Sequence, residues 1–225
     1  MSYNILAPSL VKKVDYGNVP QEYLEWGNRL RMIQREILWA APHILCLQEA
    51  EKDCELFAYL QAHGFEGASC VKPDPERNDG PAIYFDKARF ELVTRMVLPF
   101  NYKLPPGPGK VETASQRLYE KGNCGLIVAL KLKGESSDNR IFLVGNTHLN
   151  FNSNRGDIKL AEIKMLTDAL ATLKRHYLKE KLRVAVIVCG DFNATPRGGV
   201  YEFMRTGSFD CLKLDRYTIS GQHFA

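Results

Sequence analysis

The chain has 225 residues, 45% of them hydrophobic and 25% charged, which suits one large domain whose core needs no staples. Its net charge of +4 admits an anionic substrate without demanding one. No apolar run approaches the roughly 20 residues that span a bilayer, so no membrane insertion is expected, and polar residues follow Met1 where a signal peptide would be apolar.

Ser2 to Leu6 is the first expected strand, since Met1, Tyr3 and Ile5 alternate with Ser2 and Asn4. Pro20 opens a helix to about Ala40, with Tyr23, Leu24, Leu30, Ile33, Ile37 and Leu38 near three- and four-residue spacing until Pro42 breaks it. Ile44 to Leu47 is a buried strand ending in Gln48 and Glu49. Cys54 to His63 reads as a helix with Gly64 as its C-cap. Lys72 to Pro81 reads as a surface loop, followed by strands at Ala82 to Phe85 and Phe90 to Val97. Asn101 to Lys110, with three prolines and two glycines, is an irregular excursion. Gly125 to Leu132 and Ile141 to Thr147 are core strands joined by the polar Lys133 to Arg140.

Asp157 to about Tyr177 is the clearest helix, striped by Leu166, Ala169, Leu170, Leu173 and Tyr177 and capped by Ser153 or Asn154. Val184 to Val188 then forms an apolar, β-branched buried strand that stops at Gly190. Gly199 to Met204 is one helical turn or two. Strands alternating with helices, plus adjacent strand pairs, give an α/β or α+β layered sheet. Six cysteines without a C-x-x-C pair fit a reduced compartment, the cytoplasm with the nucleus as alternative. Cys46 and Cys189 sit in apolar runs and read as small buried hydrophobes.

Polar residues at the ends of these apolar strands are the candidates for chemistry. Asp191 and Asn193 lie two apart, so a continuing strand points both the same way; the carboxylate can act as base and the amide can donate to a phosphate oxygen. The alternative is a polar turn. Glu49 ends ILCLQE, where a hard divalent cation would compensate its charge, unless it is a surface Glu opening the next helix. Asn4 is a donor to phosphate or to the metal-ligating carboxylate, or an amide satisfied by nearby backbone. His148 closes FLVGNTHL and stabilises phosphoryl charge when protonated, or is an ordinary hydrogen-bonded residue. Asn123, opening GNCGLIVAL, is a turn residue or a substrate-binding amide. The basic run Lys174 to Arg183 is a solvated helix end or, without aromatic interleaving to support it, a nucleic-acid patch. The other histidines (43, 63, 176, 223) lack a comparable setting. One carboxylate for a metal, another for a water nucleophile and neutral donors for phosphate together describe a phosphoryl-transfer site.

SYNILA, LCLQEA, DGPAIYF, NTHL and GDFNATP stand in the order and approximate spacing of the endonuclease/exonuclease/phosphatase superfamily, which the chain resembles over its full length. Within it, NTHLNFNSNRGDIKLAEIKMLT and the SGQ at Ser220 to Gln222 resemble the poly(A)-nuclease-like branch, the Angel proteins above all. The resemblance implies a DNase I-like sandwich of two stacked mixed sheets flanked by helices. It also implies a site with Glu49 on Mg²⁺ (Mn²⁺ as substitute), Asp191 positioning water, His148 on the scissile phosphate, and Asn4 and Asn193 as site amides. The implied substrate is the 3′ end of RNA, as poly(A) or as a 2′,3′-cyclic phosphate, with mRNA decay or translation factors as partners. The family pattern ends in a further Asp and a Ser-Asp-His motif, and this chain contains no Ser-Asp-His. The resemblance thus implies a single domain over 1–225, truncated at its C-terminus and starting within the first strand. It also implies an incomplete second sheet and reduced catalysis. The rival readings are an inactive RNA- or protein-binding module and a phosphoinositide or sphingolipid phosphodiesterase.

Overall fold

Period-two alternation explains how two sheets share this chain. On β2 (Ile44–Glu51), Leu45 and Leu47 join one apolar cluster while Cys46, between them, joins another. On β4 (Asp79–Asp86), Ala82 and Tyr84 face the first cluster, and Ile83 and Phe85 the second. Both faces of these strands are covered, so they read as continuous apolar runs. The protein, here a computed structural model, is described at residues 1–100, 122–134, 139–211, 215 and 217–222. The Asn101 to Lys110 excursion, His223 and the middle of the Lys133 to Arg140 connection lie outside the described residues.

The first sheet has the order β1-β2-β4-β3, with β1 (Ser2–Asn4) parallel to β2 and β3 (Phe65–Ser69) antiparallel to β4. The second sheet has the order β5-β6-β7-β8, from Phe90–Pro99, Cys124–Leu132, Arg140–His148 and Arg183–Asp191. β7 and β8 run parallel, joined through helix α5 (Gly156–Lys179), the crossover that parallel neighbours require. Cys46, Ile83 and Phe85 meet Leu126, Val128, Leu130 and Val144 between the sheets. On the outside, α3 (Trp26–Ala40) and α4 (Glu55–Ala62) cover the first sheet and α5 covers the second. Short helices α1 (Pro8–Val11), α2 (Gln21–Leu24) and α6 (Gly199–Thr206) complete the described elements. This is the layered sandwich of mixed sheets expected from the sequence. No helix among the described residues is long and apolar enough to cross a membrane. Phe85, wholly buried between the sheets, tests this packing: Phe85→Ala is expected to cost about 3–5 kcal/mol, read as a lower urea midpoint.

Several expectations need correction. The helix from Pro20 is interrupted at Glu25, whose ψ of 129° is extended, and Tyr23 and Leu38 are exposed. Its end is set by Ala41 in the left-handed region, as Pro42 disfavours a helical residue before it. Helix α5 starts at Gly156 with Arg155 at the N-cap and no side-chain capping bond, so neither Ser153 nor Asn154 caps it. The Lys72 to Pro81 segment is not all surface loop: Asp79, Gly80 and Pro81 open β4 and are buried. β8 is an edge strand, only half-buried, and Cys189 with it.

Two devices bring the strand ends together. In β2 the register shifts between Leu47 and Ala50, so Gln48 and Glu49 both stand opposite Pro81, which has no N–H for the ladder. Asn146 of β7, fully buried, spans the sheets: its Nδ2 donates to Leu47 O (2.8 Å) and Ala82 O (2.9 Å), while Oδ1 accepts from Gln48 Nε2 (2.8 Å).

Candidate active site

Asn4, Glu49, His148 and Asp191 occupy or adjoin the C-terminal ends of β1, β2, β7 and β8, the end where parallel strands present ligand sites. Asn4 is the link. Its Nδ2 donates to Glu49 Oε1 and to Asp191 Oδ2, at 3.1 Å each. Glu49 Oε2 accepts the Ala7 N–H at 3.1 Å. Of the alternatives open for Asn4, donation to the candidate metal-ligating carboxylate is therefore the observed one, and its Oδ1 also accepts the Leu6 N–H at 3.0 Å.

Asn193 converges by another route than strand alternation. β8 ends at Asp191, and Asn193 is left-handed (φ 45°), its N–H donating to Asp191 Oδ1 at 3.0 Å in an Asx turn. The turn aims Nδ2 at Leu149 O (3.0 Å) and His148 Nε2 (2.9 Å). An amide NH₂ only donates, so Nε2 accepts and the ring proton sits on Nδ1. His148 Nδ1 is buried without a hydrogen-bond partner, 3.6 Å from Glu49 Oε1; Nε2 is 3.7 Å from Asp191 Oδ2. Burial, then the nearby Lys72 cation, lowers the His148 pKa against the pull of Asp191 and Glu49. This favours the neutral imidazole over the protonated form.

Glu49 is buried and has φ 57° at the bulge, and Leu6 has φ 53°. Left-handed non-glycine residues are uncommon and concentrate at functional sites. Asn123 does not point into open space. Its Nδ2 donates to His148 O (2.6 Å) and Glu162 Oε1 (3.2 Å), and its Oδ1 accepts the Cys124 N–H (3.1 Å), so its polar atoms fix the end of β7.

Residues not singled out in the sequence complete the surroundings. Glu49, Asn123 and His148 share a cavity of about 490 Å³ with Lys13, Lys72, Arg77 and Phe151. Lys72 and Arg77 converge on buried Asp79: Arg77 Nε and Nη2 donate to it at 2.6 and 2.8 Å, and Lys72 Nζ lies 3.8 Å away. Asp191 and Asn193 border a second, more open cavity of about 600 Å³ with Gln222. Burial raises the pKa of Glu162 to about 7, against the N–H groups of Asn150 and Asn123, and lowers that of Lys159 to about 8. The signal for these two was present: Lys159, Glu162, Leu166 and Leu170 follow one helical stripe, so two charges occupy core-facing positions.

The donor set fits one hard cation. Among the described residues no three His, Cys, Asp or Glu side chains close around an ion, which speaks against a four-ligand structural zinc site. Asn4 holds two carboxylates, Glu49 and Asp191, beside open cavities. One or two carboxylates, with water and phosphate supplying the rest, is the usual Mg²⁺ arrangement.

The chain is a two-sheet sandwich that gathers paired carboxylates, amides and a histidine at its strand ends. The chain belongs to the Endonuclease/Exonuclease/phosphatase family, whose model matches residues 1–224. Enzymes of this family generally depend on a divalent metal. The chain is 33% identical over 224 residues to "Carbon catabolite repressor protein 4 homolog 5" of Arabidopsis thaliana, covering 99% of this chain and 47% of that protein. It is 30% identical over 227 residues to "Protein angel homolog 2" of Homo sapiens, covering 99% and 39%. Its fold matches the crystal structure of ANGEL2, a 2′,3′-cyclic phosphatase, with TM-score 0.84 and 28% identity over 98% of this chain and 60% of that one. The human Nocturnin catalytic domain matches with TM-score 0.67 and 28% identity, over 91% and 67%. The chain thus spans about half the length, or less, of these curated relatives.

Proposed function

We propose that the chain carries the site of a Mg²⁺-dependent hydrolase of RNA phosphate esters, working at 3′ ends as a deadenylase-like exonuclease or a 2′,3′-cyclic phosphatase. The observation that carries this reading is the Asn4 amide joining Glu49 to Asp191 within reach of His148 and Asn193. Glu49 would hold the metal, with Mn²⁺ as substitute. When bound, the ion neutralises charge developing on phosphate oxygens. Asp191, the more exposed carboxylate, orients the attacking water and takes its proton as the new P–O bond forms, while the P–O bond to the leaving ribose oxygen breaks and that oxygen takes a proton from solvent. Asn193 and the neutral His148 steady the phosphate, while Asn4 fixes the carboxylates and Asn123 the His148 backbone. Lys72 and Arg77 add positive charge along the cleft.

RNA is favoured over other phosphate esters by the relatives' names, including a CCR4-Not complex 3′-5′-exoribonuclease subunit of Schizosaccharomyces pombe, 26% identical to the chain. The same name supports mRNA decay factors as partners. Phe151, 75% exposed at the mouth of the basic cavity, offers a face for a nucleobase. Phe151→Ala is expected to raise KM for RNA by about 5-fold or more with little change in kcat. Steady-state kinetics on oligo(A) and on RNA ending in a 2′,3′-cyclic phosphate test both statements. RNA binding that persists in EDTA with no turnover of either substrate would instead leave a binding module.

A further inference from the structure

Among the described residues, Lys159 is a wholly buried ammonium. The residue is 0% exposed and lies in the first turn of α5, where the helix dipole disfavours a cation. Neither of its acceptors is a carboxylate. Nζ donates to the Asn193 carbonyl and to Gln222 Oε1, at 2.7 Å each. Desolvation and the dipole both oppose this placement, and an apolar side chain would fill the volume without either cost.

What the ammonium grips explains it. Asn193 is the left-handed residue whose N–H holds Asp191 and whose amide faces His148, and its carbonyl is the one remaining handle on that peptide. Gln222 ends a segment built tightly against the same turn. Thr195 N–H donates to Ser220 O (2.9 Å), Gly199 N–H to Ile219 O (2.7 Å), and Ser220 Oγ to Ser153 O (2.8 Å). The segment leaves no slack: a Cβ on Gly198 would lie 2.5 Å from Ser220 O, and one on Gly156 would lie 2.6 Å from Ser220 N.

We infer that Lys159 is a positioning residue for the reaction, an internal clamp that locks the Asn193 turn to the Ser220–Gln222 segment and so sets where Asp191 and His148 stand. The SGQ motif is thereby a working part of the site. The clamp acts through Asn193 and touches no substrate. Its kinetic consequence rests on the RNA-hydrolase reading; its structural consequence does not.

Two measurements on the whole protein test it. In Lys159→Met, kcat is expected to fall roughly 10- to 100-fold with KM within about twofold, as for a misplacement of about an ångström. Hydrogen exchange is expected to quicken together in peptides covering 191–199 and 217–222, with β6 unchanged. Gln222→Met is expected to give a smaller change of the same kind, and Gln222→Glu, which keeps an acceptor for the ammonium, to recover most of that loss. If Lys159→Met does not fold, the Gln222 pair decides. Unchanged exchange in both segments, or a kcat equal to the parent's in a hydrolysing protein, overturns the inference. A parent that hydrolyses neither RNA substrate defeats the functional reading instead, and the exchange data still judge the clamp.

Discussion

Glu49→Gln is expected to lower Mg²⁺-dependent hydrolysis by about 10³-fold or more, equivalent to roughly 4 kcal/mol of transition-state stabilisation. The substitution keeps shape and removes charge. It also breaks the local hydrogen bonding: both Glu49 oxygens accept, from Asn4 Nδ2 and from the Ala7 N–H, and an amide can satisfy only one of these donors. The site is stressed to hold this carboxylate. Glu49, Leu6 and Asn193 are three of the five non-glycine residues with positive φ among the described residues, and such conformations cost of order 1–3 kcal/mol each. Single-turnover rates at saturating Mg²⁺, with circular dichroism to confirm folding, measure the effect. Turnover equal to the parent's would remove Glu49 from the mechanism.

Asp79→Ala is expected to destabilise the protein by roughly 2–4 kcal/mol, because it strands two cations on one buried anchor. The lower part of that range reflects the Arg77 side chain, which is 22% exposed and keeps some hydration. Burial alone would raise the Asp79 pKa, but the Arg77 bonds and the Lys72 charge outweigh it, and the folded-state pKa lies below the ordinary 3.8. The sign follows. A depressed carboxylate contributes stability above its unfolded-state pKa and loses it as pH falls through the folded value. Urea midpoints of parent and variant are therefore expected to differ most near neutral pH and to converge below pH 3.8. A constant difference across that window would contradict the ion-pair account. Loss of the anchor also frees Lys72 and Arg77 from the cleft wall, so activity should fall with stability.

The sequence made the layered sheets legible because their signals are local. The strands at Ile44, Gly125, Ile141 and Val184 announce themselves as apolar runs, and the fold gathers Glu49, His148 and Asp191 from the ends of three of them. β3 escaped because FEGAS is short and polar, and its Gly67 lies flat against Tyr84, where a Cβ would come within 2.6 Å of the ring. The Glu49 bulge was out of reach because it depends on Pro81 standing opposite, a pairing over thirty residues away in the chain. Asn193 stands beside Asp191 and His148 through an Asx turn, the polar-turn alternative, and not through strand alternation. Lys159 and Glu162 broke an otherwise apolar helix stripe and could have been noticed as charges in core positions. Asp79 was hidden in a segment whose composition reads as loop, though the Arg77 that pairs with it lies two residues away.

Glu49 and Asp191, 142 positions apart in the chain, are joined by the Asn4 amide and are expected to act as one unit. A double-mutant cycle on Mg²⁺-dependent cleavage of RNA bearing a 2′,3′-cyclic phosphate or a poly(A) end tests it most directly. With Glu49→Gln and Asp191→Asn, the account predicts that the double variant is scarcely slower than the worse single one. Losses that multiply independently would mean the two carboxylates do not share a site.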